Sequence, residues 1–373
     1  VQKTDILFVI DNSGSMGEEQ EGVARELPEF IRALRAGGGL EQDFRVGVVT
    51  TSVYLHSVQP PSQAQPNPQP TLRTEPYADQ AGRLRPVPNP DGTFAAAPPR
   101  WLEGTDPSLD ARFALLVRQG VSGSGQETAF EAAYRAVTPP LSTQAPGEPP
   151  ALGGNAGFLR DGARLLVVVV TDEDDCSERA FPPRVVLGTE PTREYCTEQA
   201  NELTPVAEYA ELFRALTDST GAPRQVLWTS IAPVARADKR VQPVIETGAV
   251  RNVDCPTSFG AGARHRQMAS LFEPSLRNLD SICRATYRDT LLTIAAIANE
   301  TQELEVTNVP DGRLLQVAIT RAGGEVVLCT QASGLLQYEA ATEAGQRGRI
   351  LFSPGCARRF DDVKLEVRLL CAD

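Results

Sequence analysis

Residues 6–11 read Ile-Leu-Phe-Val-Ile-Asp, five apolar residues in a row with no polar alternation. A short continuous run of this kind belongs to a strand buried on both faces. Such a strand needs helices above and below it, which points to an α/β sheet. A second run, Leu165, Leu166 and Val167 to Val170, is the most hydrophobic in the chain. Each run ends close to an aspartate, Asp11 and Asp172. Further strands are expected at 44–51, 225–232 and 279–283, the last at a sheet edge. Helical patterns fall at 106–117, 126–137, 205–216, 264–272 and 287–297. After Met16, the apolar residues Val23, Leu27, Phe30, Ile31 and Leu34 share one helical face. Pro28 predicts a kink there, or a second short helix. Gly37 to Gly39 should end it, and Thr204 should cap the helix at 205.

Strands and helices alternate as far as Glu300, so residues 1–300 are expected to form a Rossmann-like, doubly wound, mostly parallel sheet. It carries long insertions at 53–107, rich in Pro, Gln, Asn and Gly, at 139–160, rich in Pro and Gly as far as Asn155, and at 235–262. After 300 the runs are short and strand-like, at 304–306, 314–320, 325–330, 349–353 and 363–370. They predict a small all-β, sandwich-like subdomain over 301–373.

The net charge of −12 over 373 residues makes nucleic acid a poor partner. No apolar run approaches membrane-spanning length. An abrupt start at Val1, one step before a strand, is what a processed amino terminus would give. None of the seven cysteines form a C-x-x-C pair, which argues against a zinc ribbon or thioredoxin motif. In an acidic, proline-rich chain they favour an oxidising compartment and disulfides. Cys176 with Cys196 and Cys255 with Cys283 would each close a moderate loop that lacks its own core. Cys329 is left to either Cys356 or Cys371. A bond between Cys356 and Cys371 is disfavoured if 349–353 and 363–370 form a hairpin.

The chemistry concentrates in Asp11-Asn12-Ser13-Gly14-Ser15. One carboxylate and two hydroxyls at a strand's carboxyl end are hard donors, suited to Mg²⁺, Mn²⁺ or Ca²⁺. Asp172-Glu173-Asp174-Asp175 places four acids after the second apolar strand, where mutual repulsion calls for a nearby cation. Only His56 and His265 exist, and neither accompanies a nucleophile motif such as G-x-S-x-G. His265, between Arg264 and Arg266, reads as a surface residue. The Asp11 loop matches aspartate phosphatases only faintly, because the second acid and a matching lysine are absent. An enzyme is therefore not expected.

The order strand–DxSxS, strand, loop–Thr, strand–Asp resembles the metal-ion-dependent adhesion site of von Willebrand factor A domains, the fold shared with integrin inserted domains. The likeness runs from about Thr4 to Glu300. It implies a divalent cation, Mg²⁺ first, with Mn²⁺ or Ca²⁺ as alternatives. Asp11, Ser13, Ser15, Thr128 and Asp172 would be its ligand set, and Glu173, Asp174 and Asp175 accessory acids. One coordination position would stay open for a carboxylate of a protein or surface polymer. Longer strings, among them Gly157-Phe158-Leu159-Arg160 and Val170-Thr171-Asp172-Glu173-Asp174-Asp175-Cys176-Ser177, resemble von Willebrand A lipoproteins of myxobacteria and related predatory or soil bacteria. That resemblance implies export to the periplasm, outer membrane or cell surface of a Gram-negative bacterium. A lipid anchor upstream of Val1 would be the only membrane attachment, and some such proteins are adhesins in gliding motility. The competing expectation is a structural envelope lipoprotein whose metal only stabilises its loops.

Overall fold

The computed structural model describes residues 2–36, 42–54, 56–57, 71–72, 79–147, 153–188, 190–300, 303–307, 309, 315–321, 324–341, 347–352, 356 and 362–370. The expected helix stop at Gly37 to Gly39, part of the 53–107 insertion and Cys371 lie outside them. The chain divides into two compact units, one from Gln2–Ile31 and Asp43–Ile294, the other from Arg32–Gln42 and Ala295–Asp373.

The first unit is a six-stranded sheet. Its strands are β1 (Gln2–Ile10), β2 (Gln42–Thr50), β3 (Leu102–Glu103), β4 (Arg164–Val170), β5 (Val226–Ala232) and β6 (Leu279–Ser281). The spatial order is β3-β2-β1-β4-β5-β6. β1 with β4, β4 with β5, and β5 with β6 are parallel, and the two-residue β3 is antiparallel to β2. The order grows outward from the centre in both directions. The β1–β4 boundary is therefore the topological switch point, where an open α/β sheet forms its ligand crevice at the strands' carboxyl ends.

Helices cover both faces: α1 (Gly17–Ala36), α2 (Leu109–Leu116), α3 (Ala129–Val137), α4 (Val206–Arg214), α5 (Ala263–Phe272) and α6 (Arg288–Ala298). The side chains of β1 alternate between the two faces. Phe8 meets Phe30 of α1 and Phe113 of α2 edge-on, at centroid distances of 5.8 and 5.0 Å. Leu7 and Val9 join the opposite core with Phe130, Tyr209, Phe213 and Trp228. The buried alanines 129, 132, 133 and 136 give α3 a small-residue face on that side.

Several sequence expectations change. α1 is one continuous helix with Pro28 inside it, so no second helix begins there; its apolar face is buried on both sides of the proline. α4 begins after Pro205, and the Thr204 hydroxyl accepts the Arg179 amide instead of capping it. α3 starts at Ala129, which leaves Gln126 to Thr128 as loop. The 235–262 insertion contains a hairpin, Pro243–Glu246 with Ala249–Asn252.

The second unit holds two three-stranded antiparallel sheets. Gly348–Phe352 lies between Glu303–Val306 and Leu336–Glu339, and Leu315–Thr320 lies between Val326–Thr330 and Lys364–Leu369. Val317, Ile319, Cys329, Ile350 and Phe352 share their core. The strands at 348–352 and 364–369 belong to different sheets, so the conditional hairpin does not form. Cys329 bonds to Cys356. Cys176–Cys196 and Cys255–Cys283 are also bonded, as expected.

Candidate metal centre

The site is assembled from backbone first. The Asp11 amide donates to the Val170 carbonyl at 2.9 Å, extending the β1–β4 pairing by one step. On the other flank, the Thr51 amide donates to Ile10 at 3.2 Å. The Asp11 carboxylate is fully buried. One oxygen accepts the Ser13 amide at 2.8 Å and the other the Thr171 hydroxyl at 2.6 Å. The first of these bonds bends the loop into an Asx-type turn. That turn brings the Ser13 and Ser15 hydroxyls within 3.3 Å of each other, and Ser15 donates to Asp172 at 3.1 Å. The Gln20 side chain of α1 holds the Asp11 carbonyl at 2.8 Å.

The loop before α3 closes the site from the side. The Gly123 amide donates to the Asn12 carbonyl at 2.7 Å. A Cβ at Gly123 would overlap the Asn12 side chain, so only glycine permits this approach. Thr128 is buried and its hydroxyl donates to the Thr51 carbonyl at 2.6 Å. Glu127, directly before it, is also buried and accepts the Thr51 hydroxyl.

Four carboxyls therefore crowd one point: Asp11, Glu127, Asp172 and Glu173. Burial is the largest influence on each and pushes every one above the ordinary carboxylate range; the Asp11 charge adds to it at the other three. Glu19, in the first turn of α1, also feels Asp11 and is raised, chiefly by burial. None of the four forms an ion pair with a described Lys or Arg. One oxygen each of Asp172 and Glu127 is buried without a hydrogen-bond partner. Orphaned carboxylate oxygens beside two hydroxyls are a donor set that suits a hard cation. Among the described residues, no group of three or more His, Cys, Asp and Glu by itself has metal-holding geometry. Any centre here depends on the serine hydroxyls.

The acidic run after β4 is split in two. Asp172 and Glu173 stay with Asp11. Asp174 instead accepts the Ala263 and Arg264 amides at the start of α5, at 3.1 and 3.0 Å. Burial still pushes its carboxyl up to about 7. Asp175 pairs with the Arg264 guanidinium at 3.0 Å and accepts the Phe130 amide at 3.1 Å. Both are consumed in holding α5 and α3 against the loop.

Glu127 was not singled out by sequence reasoning; its signal is an acid directly preceding the loop threonine. His265 departs from its surface expectation. It is fully buried, with its ring 5.3 Å from that of Phe130, and burial lowers its pKa to about 4, so it is neutral. The period of α5 turns it inward while Arg264 reaches Asp175 and Arg266 reaches the Lys239 carbonyl.

No protein-family model and no curated protein matches the chain. Solved structures similar to it include a von Willebrand factor type A protein from Catenulispora acidiphila, at 11% identity and a TM-score of 0.37, covering 98% of this chain and 57% of that one. Proximal thread matrix protein 1 from the mussel byssus is similar at 12% identity and a TM-score of 0.34, covering 82% and 50%. The pilus adhesin SpaC from Lactobacillus rhamnosus GG, in its open conformation, is similar at 12% identity and a TM-score of 0.33, covering 98% and 38%. The chain thus spans about half, or less, of the length of these structures.

Proposed function

We propose that this chain is an exported adhesion module of the von Willebrand A type, which captures an acidic group of a protein or polymer partner through a divalent cation. The observation that carries the reading is the convergence of Asp11, Ser13, Ser15 and Asp172 at the switch point, with buried acids and no described cationic side chain to balance them. Asp11, Ser13, Ser15 and Asp172 would hold Mg²⁺, or Mn²⁺ or Ca²⁺ in its place, with Thr128 as a fifth donor from the neighbouring loop. A bound hard cation supplies a Lewis-acidic point that an incoming carboxylate can ligate. The chain's own residues do the rest. Thr171, the Ser13 amide and Gln20 fix Asp11 and its loop, and exposed Gly14 and half-buried Ser15 leave the point open to solvent.

Three disulfides support an oxidising, exported setting. No helix among the described residues is long and apolar enough to cross a membrane. Attachment to an outer membrane through an upstream lipid, and a part in surface attachment or gliding, extend the proposal on the sequence resemblance alone. The competing structural role has the same ligands and no partner.

Carboxymethylated dextran separates the two. A chain of net charge −12 is repelled by that surface, so retention in Mg²⁺ reports the site. Wild type should be retained in Mg²⁺ and released by EDTA, and Asp11→Ala should not be retained. Equal retention of Asp11→Ala overturns the adhesion reading. Mg²⁺ binding by calorimetry without retention leaves the structural role.

A further inference from the structure

A cavity of about 360 Å³ lies against the edge strand β6 and helix α6, within the range of small-ligand pockets. It shares no residue with the Asp11 site. Lys239, Arg277 and Arg284 line it, and Asp280 is the one acid among its lining residues. In a chain of net charge −12, that local excess of cations runs against the whole. Glu273, outside the lining, answers Arg277 at 2.9 Å. Asp280 answers Arg284 at 3.0 Å through Nε, one of several N–H groups of the guanidinium. Lys239 forms no ion pair with a described Asp or Glu, and its Nζ donates to the Leu276 carbonyl at 2.7 Å. Burial pulls its pKa below the ordinary lysine value, and the Asp280 charge opposes that. Lys239 and Leu276 each hold a φ of 58°, a region that bulky side chains seldom enter. The lysine is thus kept at the cavity at a conformational cost.

The α6 wall offers the opposite chemistry. Thr290 and Thr293 stand three residues apart on one helix face, and both line the cavity. Each has already donated its hydroxyl proton, Thr290 to Asp280 at 2.5 Å and Thr293 to the Asp289 carbonyl at 2.9 Å. What they present to a guest is therefore lone pairs. A guest that satisfies both walls is an oxyanion that still carries a proton. An ionised carboxylate offers acceptors only, and sulfate is the same. Phosphate and its monoesters hold a proton at about pH 6. A neutral guest leaves Lys239 without a counter-charge, and a metal cation would meet like charges on three sides.

We infer that this cavity is a second binding site, which takes a phosphate group that retains a proton, either as the free ion or as a monoester. It goes beyond the proposed carboxylate capture and does not depend on it.

Inorganic phosphate, methyl phosphate and sulfate are titrated separately into the full chain in EDTA, at about pH 6, and followed by calorimetry. Phosphate should bind about tenfold more tightly than sulfate, the scale of one acceptor left unpaired. Methyl phosphate binding more tightly than phosphate names a monoester as the guest, and the reverse names the free ion. Lys239→Met should weaken phosphate about tenfold, the scale of one charge-assisted bond. Should that variant fail to fold, Arg284→Gln, at an exposed residue, carries the same expectation. Thr293→Val, at an exposed helix position, removes an acceptor and should bring sulfate closer to phosphate. Asp11→Ala should leave the phosphate isotherm unchanged. Sulfate bound as tightly as phosphate overturns the inference, as do undiminished binding in Lys239→Met and no phosphate binding by wild type. An unchanged preference in Thr293→Val overturns the acceptor wall and with it the choice of a protonated guest. Loss of phosphate binding in Asp11→Ala overturns the separate site.

Discussion

β1 carries one aspartate within it and one just past its end, and the two are treated oppositely. Asp5 and Asp11 are both fully buried. Asp5 receives the Arg160 backbone amide and Nε, each at 2.7 Å, and Arg160 also reaches Asp43. Burial still raises Asp5, but Arg160 pulls it back. At Asp11 the neighbouring charged groups are other carboxyls. One end of the strand holds a buried acid with its counter-charge supplied by the chain, and the other gathers acids that form no ion pair with a described Lys or Arg. A buried acid that the fold balances is architecture. Acids gathered at a switch point without such a partner are what the proposed cation would balance.

The largest expected effect tests the balanced end. Arg160→Met removes the counter-charge of Asp5 and leaves it buried, so urea unfolding should show a loss of about 3–5 kcal/mol. Adding Asp5→Asn to it should recover much of that loss. A single-variant loss below about 1 kcal/mol would mean Asp5 is not held by this pair.

The next effect tests the unbalanced end. Mg²⁺ at about a hundred times its dissociation constant should stabilise wild type by about 2.7 kcal/mol near neutral pH, and Asp11→Asn by nothing measurable. The pH dependence has a definite sign. Asp172, Glu127 and Glu173 have folded-state pKa values above their unfolded ones. Their contribution to stability is fully present below the unfolded values and is lost as pH rises through the folded ones. In EDTA the protein should therefore unfold at a lower urea concentration at neutral pH than at pH near 5, with Mg²⁺ closing the gap. An unchanged midpoint between the two pH values in EDTA would show that the acids are balanced after all.

The smallest effect is within the cluster. Glu127→Gln keeps an acceptor for the Thr51 hydroxyl and removes one repelling charge. In EDTA it should stabilise by about 1 kcal/mol, read from the urea midpoint. Destabilisation would place Glu127 among the groups the fold has already paired.

Local pattern was enough for the sheet and for where oxygen donors leave its central strands. Apolar runs of five and six residues, the helical spacing of Val23, Leu27 and Phe30, and an aspartate after each central strand are written within a few residues of one another. The first two disulfides were legible because each closes a short span. The roles of the acids were not. Asp172 and Asp175 stand three apart in one run, yet one faces Asp11 and the other Arg264, 89 residues away. Asp5 and Asp11 look alike until Arg160 arrives from 155 residues along the chain. Cys329 found Cys356 only when two sheets, built from strands out of chain order, closed on one core. His265 looked exposed between two arginines until helix α5 was set against Phe130. By itself the sequence determined which strands are central and where oxygen donors leave them, because apolar periodicity and turn chemistry act between near neighbours. Which charges are cancelled was decided by tertiary structure alone, because a counter-charge acts through space and the chain does not record in its order what will be brought beside it.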